Sequence, residues 1–473
     1  MISSVIPGIM SQQIYGLEEK KKIFDLDAIK ENPYLVTHYI LSIFKNSSKL
    51  NLDLFEKNLE LLRGKINTII KNKYLYQDEY IILSSIYGAF LADAMGSATE
   101  FRTKSKDNHY DIYSEEGVFR PGQITDDSEM AMSQAFAILD TYNYKTLNPN
   151  LLFYYYGIWY ASDPLDIGTT TSSALSLLDL TKVNIDDPNI FSEKIKSKIA
   201  SKNSASLANG FLMRASPLLC WFYMVNKKYV KETLETKSSE KYLQLYIKIR
   251  QEMSKDTQIT HPNPELPISG SLMIFMGLCA MQQKYSGQEI IEMTLLLLKN
   301  DYFINNEIEY KIKNSFEGLV NEIKKPSFSK DDFFGNTFNQ MGYYMHAFNL
   351  TVYYLCVFDQ QKETMSLKDI YNNIMFDISD FGGDTDTNGA IVGMVMGPLI
   401  GMENFDRKYF DVFLNFYSRE RIPYTNVFMY FYALYLKKIV NENINIKNDI
   451  YKVNYNVIEL LIQMLNTEMN WLR

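Results

Sequence analysis

Two segments of the chain carry a small residue at every fourth position, and this spacing limits the folds that the chain can adopt. The first segment has Gly88, Ala92 and Gly96, and the second has glycine at positions 389, 393, 397 and 401. Residues four positions apart lie on one face of an α-helix. Glycine costs a helix up to about 1 kcal/mol relative to alanine, so a glycine stripe indicates close approach to another helix. We therefore expect two tightly packed central helices.

The membrane reading of such a stripe does not fit the second segment. Asp386 precedes the stripe and Pro398 interrupts it. No stretch of the chain reaches the ~18 uninterrupted apolar residues of a spanning helix. Residues 1–16 lack the basic leader and small-residue cleavage site of a secretory signal. We expect a soluble, cytoplasmic protein that does not bind membranes.

Apolar residues elsewhere recur mainly at helical intervals, and strand-like alternation is rare. The aromatic run at 151–160 is long enough to be a buried helix. Residues 51–72 also show the helical interval, in Leu54, Phe55, Leu59, Leu61, Leu62 and Ile66. The sequence therefore predicts an all-α fold.

Length and composition are those of a globular protein with a large core. The chain has 473 residues, of which 46% are hydrophobic, and no Pro/Gly/Ser linker marks a domain boundary. Residues 1–76 carry no chemical signature and are predicted to form an N-terminal helical extension. We predict one domain over 77–473, in which a motif-bearing core at 80–402 is covered by C-terminal helices at 403–473.

The charge balance and the cysteines exclude some classes of protein. The 48 Lys and Arg against 56 Asp and Glu give a net charge of −8, which argues against general nucleic-acid binding. Cys220, Cys279 and Cys356 lack metal-ligand or CxxC spacing. They are predicted to be buried thiols of a reducing compartment, without a disulfide.

An acidic cluster, Thr125-Asp126-Asp127, stands at a predicted helix start. Thr125 suits the N-cap position, and Asp126, Asp127 and Glu129 fall in the first helical turn. Acids at a helix start also favour the helix dipole. This cluster alone therefore fits a helix cap as well as a functional site.

A second acidic cluster follows Gly382-Gly383 and consists of Asp384, Asp386 and Thr387 at the start of an apolar helix. An EF-hand would need a bidentate glutamate at the twelfth loop position, where the chain has Val395. A phosphatase nucleophile motif would need Thr or Val where the chain has Asn388. Adjacent like charges require a cation, a proton or hydrogen bonds, and together the clusters suggest two halves of one magnesium site.

Six blocks of the chain resemble, in order and character, the motifs of the ADP-ribosylglycohydrolase superfamily. The resemblance covers residues 80–402. The blocks are GAFLADAMGSATEF, GQITDDSEMAMSQA, DPLDIGTTTSSAL, NGFLMRASPL, THPNPE and GGDTDTNGAIVGMVMGPLIG.

The resemblance implies a compact, orthogonal all-α bundle in which two Mg2+ ions lie at the bottom of a cleft and engage the ribose of ADP-ribose. On this chain the implied ligands are Thr125, Asp126, Asp127, Asp384, Asp386 and Thr387. Hard oxygen ligands of this kind suit Mg2+.

The resemblance also implies catalytic roles for Glu100, Asp126 and Asp127. Glu100 matches an acidic position that activates water or the leaving group in some members, although a surface glutamate after a helix end would look the same. Asp93 matches the family's Gly-Asp-Ala-Leu-Gly block, with Ala92 in place of the first glycine. We interpret Asp93 as a residue that supports the site.

Further blocks match the part of the family that contacts the nucleotide. Thr169 replaces the asparagine of the family's DIGNTT element, which leaves that contact open. Met213 is expected in the core, His261 is expected in an exposed loop before Pro262, and His346 is expected to be buried. The implied substrate-binding residues are Gly168, Thr169, Ser206, Asn209, Gly210 and His261.

The function implied by the resemblance is hydrolysis of a glycosidic bond at the anomeric carbon of ADP-ribose. The partner would be an ADP-ribosylated protein or a small molecule that contains ADP-ribose, and we expect a monomer. A catalytically silent ADP-ribose-binding or structural member of the same fold is the alternative. The linkage that is cleaved cannot be read from the ligand motifs, because they specify only the ADP-ribose end.

Overall fold

The secondary structure is helical throughout the part of the chain that a computed structural model describes, which confirms the all-α prediction. These residues are 52–72, 75, 77–106, 113, 119–141, 145–179, 189–303, 306–335, 339–418 and separate positions between 421 and 436. No strand forms among them, and Ala208 and Tyr343 make one isolated bridge.

The α-helices are α1 (Leu52–Lys71), α2 (Gln77–Gly96), α3 (Asp126–Leu139), α4 (Pro149–Ala161), α5 (Thr169–Leu175), α6 (Glu193–Asn203), α7 (Ser216–Val225), α8 (Lys227–Glu235), α9 (Ser239–Thr260), α10 (Glu265–Ala280), α11 (Gly287–Leu298), α12 (Glu307–Ile323), α13 (Lys330–Phe334), α14 (Tyr344–Lys362), α15 (Leu367–Phe381), α16 (Thr385–Ile400) and α17 (Arg407–Asn415). Short 3-10 helices form at Asn209–Phe211, Asp301–Phe303 and Met402–Asn404.

Helices α2 and α16 pack against each other along their glycine stripes, as the spacing predicts. A Cβ atom at Gly88 would lie 2.6 Å from the carbonyl oxygen of Gly393 and 2.9 Å from the Cα of Gly397. Ser85 donates a hydrogen bond across this contact to the Met394 carbonyl at 2.8 Å. Gly401 differs from the prediction, because it follows the end of α16 and has a φ of +78°. The close backbone contact fixes where both helices begin and end.

The aromatic run forms most of α4 and is largely buried, as predicted. Helix α1, which the periodicity predicts, buries Leu59, Leu62 and Ile66 and leaves Leu61 52% exposed. Leu61 and Leu62 are consecutive, and one helix face cannot hold both. The side chains of Leu54 and Phe55 lie outside the described residues.

The terminal regions are described only in part. Arg63 on α1 donates to the Phe416 carbonyl at 3.0 Å, so α1 contacts the segment after α17. Residues 1–51 and 437–473 lie outside the described residues, and the division into an extension and a domain remains a prediction.

The cysteines and the longest helices agree with simple expectations. Cys220 and Cys279 are buried, Cys356 is half-buried, and none forms a disulfide. Within the described ranges, no helix combines the length and the apolar character that crossing a membrane requires.

Candidate metal centre

Helix α3 begins at Asp126, and a buried carboxylate on α2 holds its first turn. Asp93 accepts hydrogen bonds from the Thr125 amide at 3.1 Å and from the Ser128 amide at 3.2 Å. Thr125 occupies the N-cap position as predicted, but its hydroxyl does not cap the helix. The hydroxyl oxygen lies 2.9 Å from Asp93 Oδ1 and 3.0 Å from Asp127 Oδ2. The expected supporting role of Asp93 thus has a structural basis.

Helix α16 begins after a turn that only glycine adopts readily. Gly382 and Gly383 have φ angles of +73° and +79°, values that favour residues without a Cβ atom. The Gly383 carbonyl accepts from the Phe101 amide at 2.8 Å, and the Gly383 amide donates to the Arg102 carbonyl at 2.9 Å. These bonds join the turn before Asp384 to the segment that carries Glu100.

The two acidic clusters meet, although more than 250 residues separate them in the sequence. One carboxylate oxygen from each of Asp93, Asp127 and Asp386 lies within 4.8 Å of the others. Oxygens of Glu100, Asp384 and Asp386 form a second group with the same limit. Asp386 belongs to both groups. We name Asp93, Glu100, Asp126, Asp127, Asp384 and Asp386 the acidic centre.

Burial raises the pKa values of Asp93, Glu100, Asp126, Asp127 and Asp386. Burial is the largest cause of a pKa well above the usual value for Asp126, Asp127 and Asp386, and neighbouring carboxylates raise each further. Burial, followed by the charge of Asp384, raises the pKa of Glu100 to about 9. Burial raises the pKa of Asp93 to about 6, against the hydrogen bonds that it accepts. Without a cation, some of these groups hold protons at neutral pH.

The oxygen atoms of the acidic centre fit a divalent cation. Asp127 Oδ1 and Glu100 Oε2 are buried and have no hydrogen-bond partner. A buried carboxylate oxygen without a partner costs free energy that a cation can offset. The available donors are carboxylate and hydroxyl oxygens, which suit hard ions such as Mg2+ or Ca2+. The centre can therefore hold a metal ion.

Asn209, predicted to bind substrate, contacts the acidic centre directly. Its side-chain amide donates to Asp384 Oδ2 at 2.7 Å, and its backbone amide donates to the Gly342 carbonyl at 2.8 Å. Thr387, predicted as a ligand, is buried, and its backbone amide donates to Asp386 Oδ1 at 2.8 Å. Both residues orient carboxylates of the second cluster.

The other predicted substrate-binding residues lie on loops that hydrogen bonds join. Ser206 Oγ lies 3.0 Å from Thr170 Oγ1, one residue after Thr169. The side-chain amide of Asn203 donates to the carbonyls of Thr170 at 2.8 Å and Thr260 at 2.9 Å. Gly168 and Thr169 are exposed where α5 begins. We name residues 166–171, 203–211 and 261 the cradle.

His261 follows α9 as predicted, but it is 1% exposed, so the expectation of an exposed loop histidine is wrong. Its Nδ1 lies 2.7 Å from Thr260 Oγ1. Burial, followed by the charge of Arg214, lowers the pKa of His261 well below its usual value, so the imidazole is neutral. A Cβ atom on Gly210 would lie 3.0 Å from His261 Cε1. The ring therefore packs under the cradle backbone, where only glycine fits without displacement.

Beneath the cradle, a second set of buried polar groups surrounds Arg214. Its guanidinium donates to Asp256 Oδ2 at 3.0 and 3.1 Å and to Thr260 Oγ1 at 3.0 Å. Asp256 Oδ1 accepts from Tyr156 at 2.5 Å and from Gln134 on α3 at 3.1 Å. We name these five residues and His261 the Arg214 network. It links α3 to the cradle.

Several contributing residues were not assigned a role from the sequence. The charge of Asp166, at the start of the cradle, helps to raise the pKa values of Glu100 and Asp126. The sequence signal that could have identified Asp166 was its position in the Asp-Ile-Gly block.

Two predictions of burial have different outcomes. Met213 is buried as expected. His346 is only half-buried, and its Nε2 lies 3.1 Å from the Asn339 carbonyl.

Comparisons with known proteins agree with the six sequence blocks. The chain is 28% identical over 353 residues to “Putative ADP-ribosyl glycohydrolase L543” of Acanthamoeba polyphaga mimivirus, covering 72% of this chain and 92% of that relative. A solved structure titled “ADP-ribosylglycohydrolase-related protein complex” aligns over 78% of this chain and 100% of its own, with 17% identity and a TM-score of 0.49. The ADP-ribosylglycohydrolase family model matches residues 77–424, which include both acidic clusters, and the chain therefore belongs to the ADP-ribosylglycohydrolase family.

Proposed function

We propose that the protein is a magnesium-dependent hydrolase that removes ADP-ribose from a modified protein side chain or a small acceptor. The bond cleaved is the glycosidic bond at the anomeric carbon. Membership of the family points to an ADP-ribosyl glycohydrolase, and a relative carries that name. The proposal adds the metal, the number of ions and the roles of individual residues.

The observation that carries the proposal is the convergence of two helix starts on one cluster of buried carboxylates. If the acids served only as helix caps, the two helices would have no reason to bring them together, because like charges repel. Oxygens of Asp127 and Asp386 instead lie within 4.8 Å of each other. A bound cation explains why the fold tolerates this arrangement.

We assign the ligands to two Mg2+ ions. When bound, the ions would orient the ribose hydroxyls and the attacking water at the anomeric carbon. Asp93 would keep Thr125 in place, and Asn209 would orient Asp384, through the hydrogen bonds described above. The proposed ligands are Thr125, Asp126, Asp127, Asp384, Asp386 and Thr387.

The reaction breaks the bond between the anomeric carbon and the acceptor atom and forms a bond to a water oxygen. The water gives up a proton, and the acceptor atom gains one. We propose Glu100, Asp126 and Asp127 for these transfers, with Glu100 Oε2 as the proton-holding atom, because it is buried and has no hydrogen-bond partner.

The cradle is proposed to hold the diphosphate and the distal ribose. Ser206 presents a hydroxyl beside Thr170, and Gly168 and Thr169 present an exposed backbone. Gly210 lets the chain pass close over His261, whose neutral ring suits a packing role beside an anionic ligand. Asn209 joins the cradle to the acidic centre.

The test is release of ADP-ribose from a panel of substrates modified on arginine, serine, glutamate or nucleic acid, with and without Mg2+. We expect release from at least one substrate only with Mg2+, and loss of release in a folded Asp126→Ala variant. A Glu193→Ala variant, which alters an exposed first-turn acid of α6, should behave as wild type. Binding of ADP-ribose without any turnover would instead support the catalytically silent alternative.

A further inference from the structure

We infer that Arg421 is a positioning residue of the acidic centre, which fixes the first turn of α3 against the loop that leads to Asp166. The inference rests on the proposed function only in treating Asp126 and Asp127 as metal ligands. Arg421 lies after α17 and outside the six sequence blocks. Its contacts reach α3, which carries Asp126 and Asp127, and the loop after α4, which leads to Asp166.

One set of contacts holds α3. Arg421 Nε donates to Glu129 Oε1 at 2.8 Å, and its Nη2 pairs with Glu129 Oε2. The two side chains are each 6% exposed. Trp159 Nε1 also donates to Glu129 Oε2 at 2.8 Å. Glu129 is therefore fixed by a guanidinium fork and an indole, two residues after Asp127 in the same helical turn.

A second set of contacts holds the loop after α4. Arg421 Nη1 donates to the Ser162 carbonyl at 2.8 Å, and the Ser162 hydroxyl lies 3.0 Å from the same nitrogen. The Asp163 carbonyl lies at 3.4 Å. Asp163 has a φ of +56°, a left-handed conformation that is uncommon outside glycine and that aspartate adopts more often than most residues. This turn leads directly to Asp166.

Through these two sets of contacts, the guanidinium of Arg421 connects α3 to the loop that leads to Asp166. The first turn of α3 carries Asp126, Asp127 and Glu129, so a rotation of this turn would displace the proposed ligands Asp126 and Asp127. Mg2+ demands near-ideal octahedral geometry, so we expect small displacements to weaken binding.

The connection between α3 and this loop requires arginine at position 421. Its planar fork can donate in several fixed directions at once, whereas lysine offers a single flexible ammonium. Lysine at position 421 would keep the charge opposite Glu129 but could not hold Glu129 and Ser162 together. The Arg421→Lys variant therefore separates the loss of positioning from the loss of charge.

The decisive measurement is binding of Mn2+ alone, followed by electron paramagnetic resonance in the absence of any substrate. We expect Arg421→Lys to keep the wild-type circular dichroism spectrum but to bind Mn2+ about 10-fold or more weakly, as is typical for residues that orient metal ligands. Arg250→Lys is the matched control, because Arg250 pairs with the buried Glu309 away from the acidic centre. It should lose stability without losing Mn2+ affinity.

A double variant distinguishes positioning from general stability. Replacing both members of a buried ion pair leaves no unpaired charge, so Arg421→Met with Glu129→Met should recover part of the melting temperature that Arg421→Met alone loses. Mn2+ affinity should remain weak in both. Wild-type affinity in Arg421→Lys or in the double variant would overturn the inference. Failure of the wild-type protein to bind Mn2+ would instead overturn the proposed metal centre.

Discussion

The acidic centre and the Arg214 network are both buried and charged, but their charges are compensated to opposite degrees. In the network, Arg214 and Asp256 face each other, and hydrogen bonds from Tyr156 and Gln134 complete the carboxylate. In the acidic centre, carboxylates face carboxylates, and Asp127 Oδ1 has no partner. The network pairs its opposite charges within the chain, although Arg214 Nη1 makes no hydrogen bond, whereas the centre brings together charges of one sign.

This difference separates the contributions to stability from those to function. A buried ion pair is costly to break, because removing one partner leaves the other charge unpaired. A cluster of like charges is costly to keep, and proteins retain such strain where a ligand or a reaction needs it. The two regions should therefore respond to mutation with opposite signs of stability change.

The largest effect is expected in the Arg214 network. Arg214→Met leaves Asp256 buried without its cation and should lower the free energy of unfolding by about 3–5 kcal/mol. Urea denaturation measures this change. Lys228→Met, which removes an exposed pair with Glu232, should change it by no more than about 0.5 kcal/mol. Equal losses in the two variants would mean that the network does not act as a buried ion pair.

The acidic centre should show the opposite response to Asp386→Ala. Removing one of the mutually repelling carboxylates should raise the melting temperature of the metal-free protein, while Mg2+-dependent release of ADP-ribose falls at least about 100-fold, because metal ions supply several kcal/mol to such reactions. Differential scanning calorimetry and product release measure the two changes.

The helix-cap reading of the acidic clusters makes a different prediction for the same variant. An acid that only favours the helix dipole stabilises the helix, by roughly 0.3–1 kcal/mol. Asp386→Ala would then lower the melting temperature and leave activity intact. The exposed first-turn acid Glu193 supplies this behaviour within the same chain, so Glu193→Ala is the matched control.

Local patterns allowed much of the fold to be predicted from the sequence, whereas the proposed ligand set came from the resemblance to the family. The glycine stripes predict the contact between α2 and α16, because helix geometry places residues four apart on one face. The same periodicity does not separate the adjacent residues Leu61 and Leu62, of which only Leu62 is buried. Short-range periodicity thus predicts elements better than it predicts which of two neighbours is buried.

Contacts between distant segments could not be predicted in this way. The bond from Asn209 to Asp384 joins residues 175 positions apart, and the pair of Arg421 with Glu129 spans 292 positions. No local pattern encodes either contact. His261 is buried because the cradle backbone passes over its ring at Gly210, an arrangement that the Pro262 neighbour does not reveal.

Asn209 tests which residues of the cradle support the acidic centre. Because its amide donates to Asp384 Oδ2, Asn209→Ala should weaken Mn2+ binding about 10-fold, as expected for a residue that orients a ligand. Ser206→Ala changes a cradle residue whose hydroxyl contacts Thr170 and should leave Mn2+ affinity unchanged. Equal Mn2+ affinities for both variants would mean that Asn209 contributes to the cradle but does not support metal binding. Titration calorimetry with Mn2+ gives the comparison directly.

The pH dependence of stability in the metal-free protein tests the same comparison without a substitution. The pKa of Glu100 is raised from 4.5 to about 9 in the folded chain, so the folded state binds more protons than the unfolded state between these values. Stability must then fall as pH rises. We expect the melting temperature to decrease from about pH 4.5 towards pH 9 without metal, and Mg2+ to remove most of this decrease because it takes the place of the protons.

The Asp386→Ala variant shows whether this pH dependence comes from the acidic centre. Burial, followed by the charge of Glu100, raises the pKa of Asp386 itself, so removing this carboxyl should flatten the decrease in melting temperature even without Mg2+. In the Arg214 network, carboxylate and cation are already matched, and Arg214→Met should lower the melting temperature without flattening its slope with pH. A metal-free melting temperature that does not change across this range would show that the chain compensates its own carboxylates, and the contrast between the two regions would then be lost.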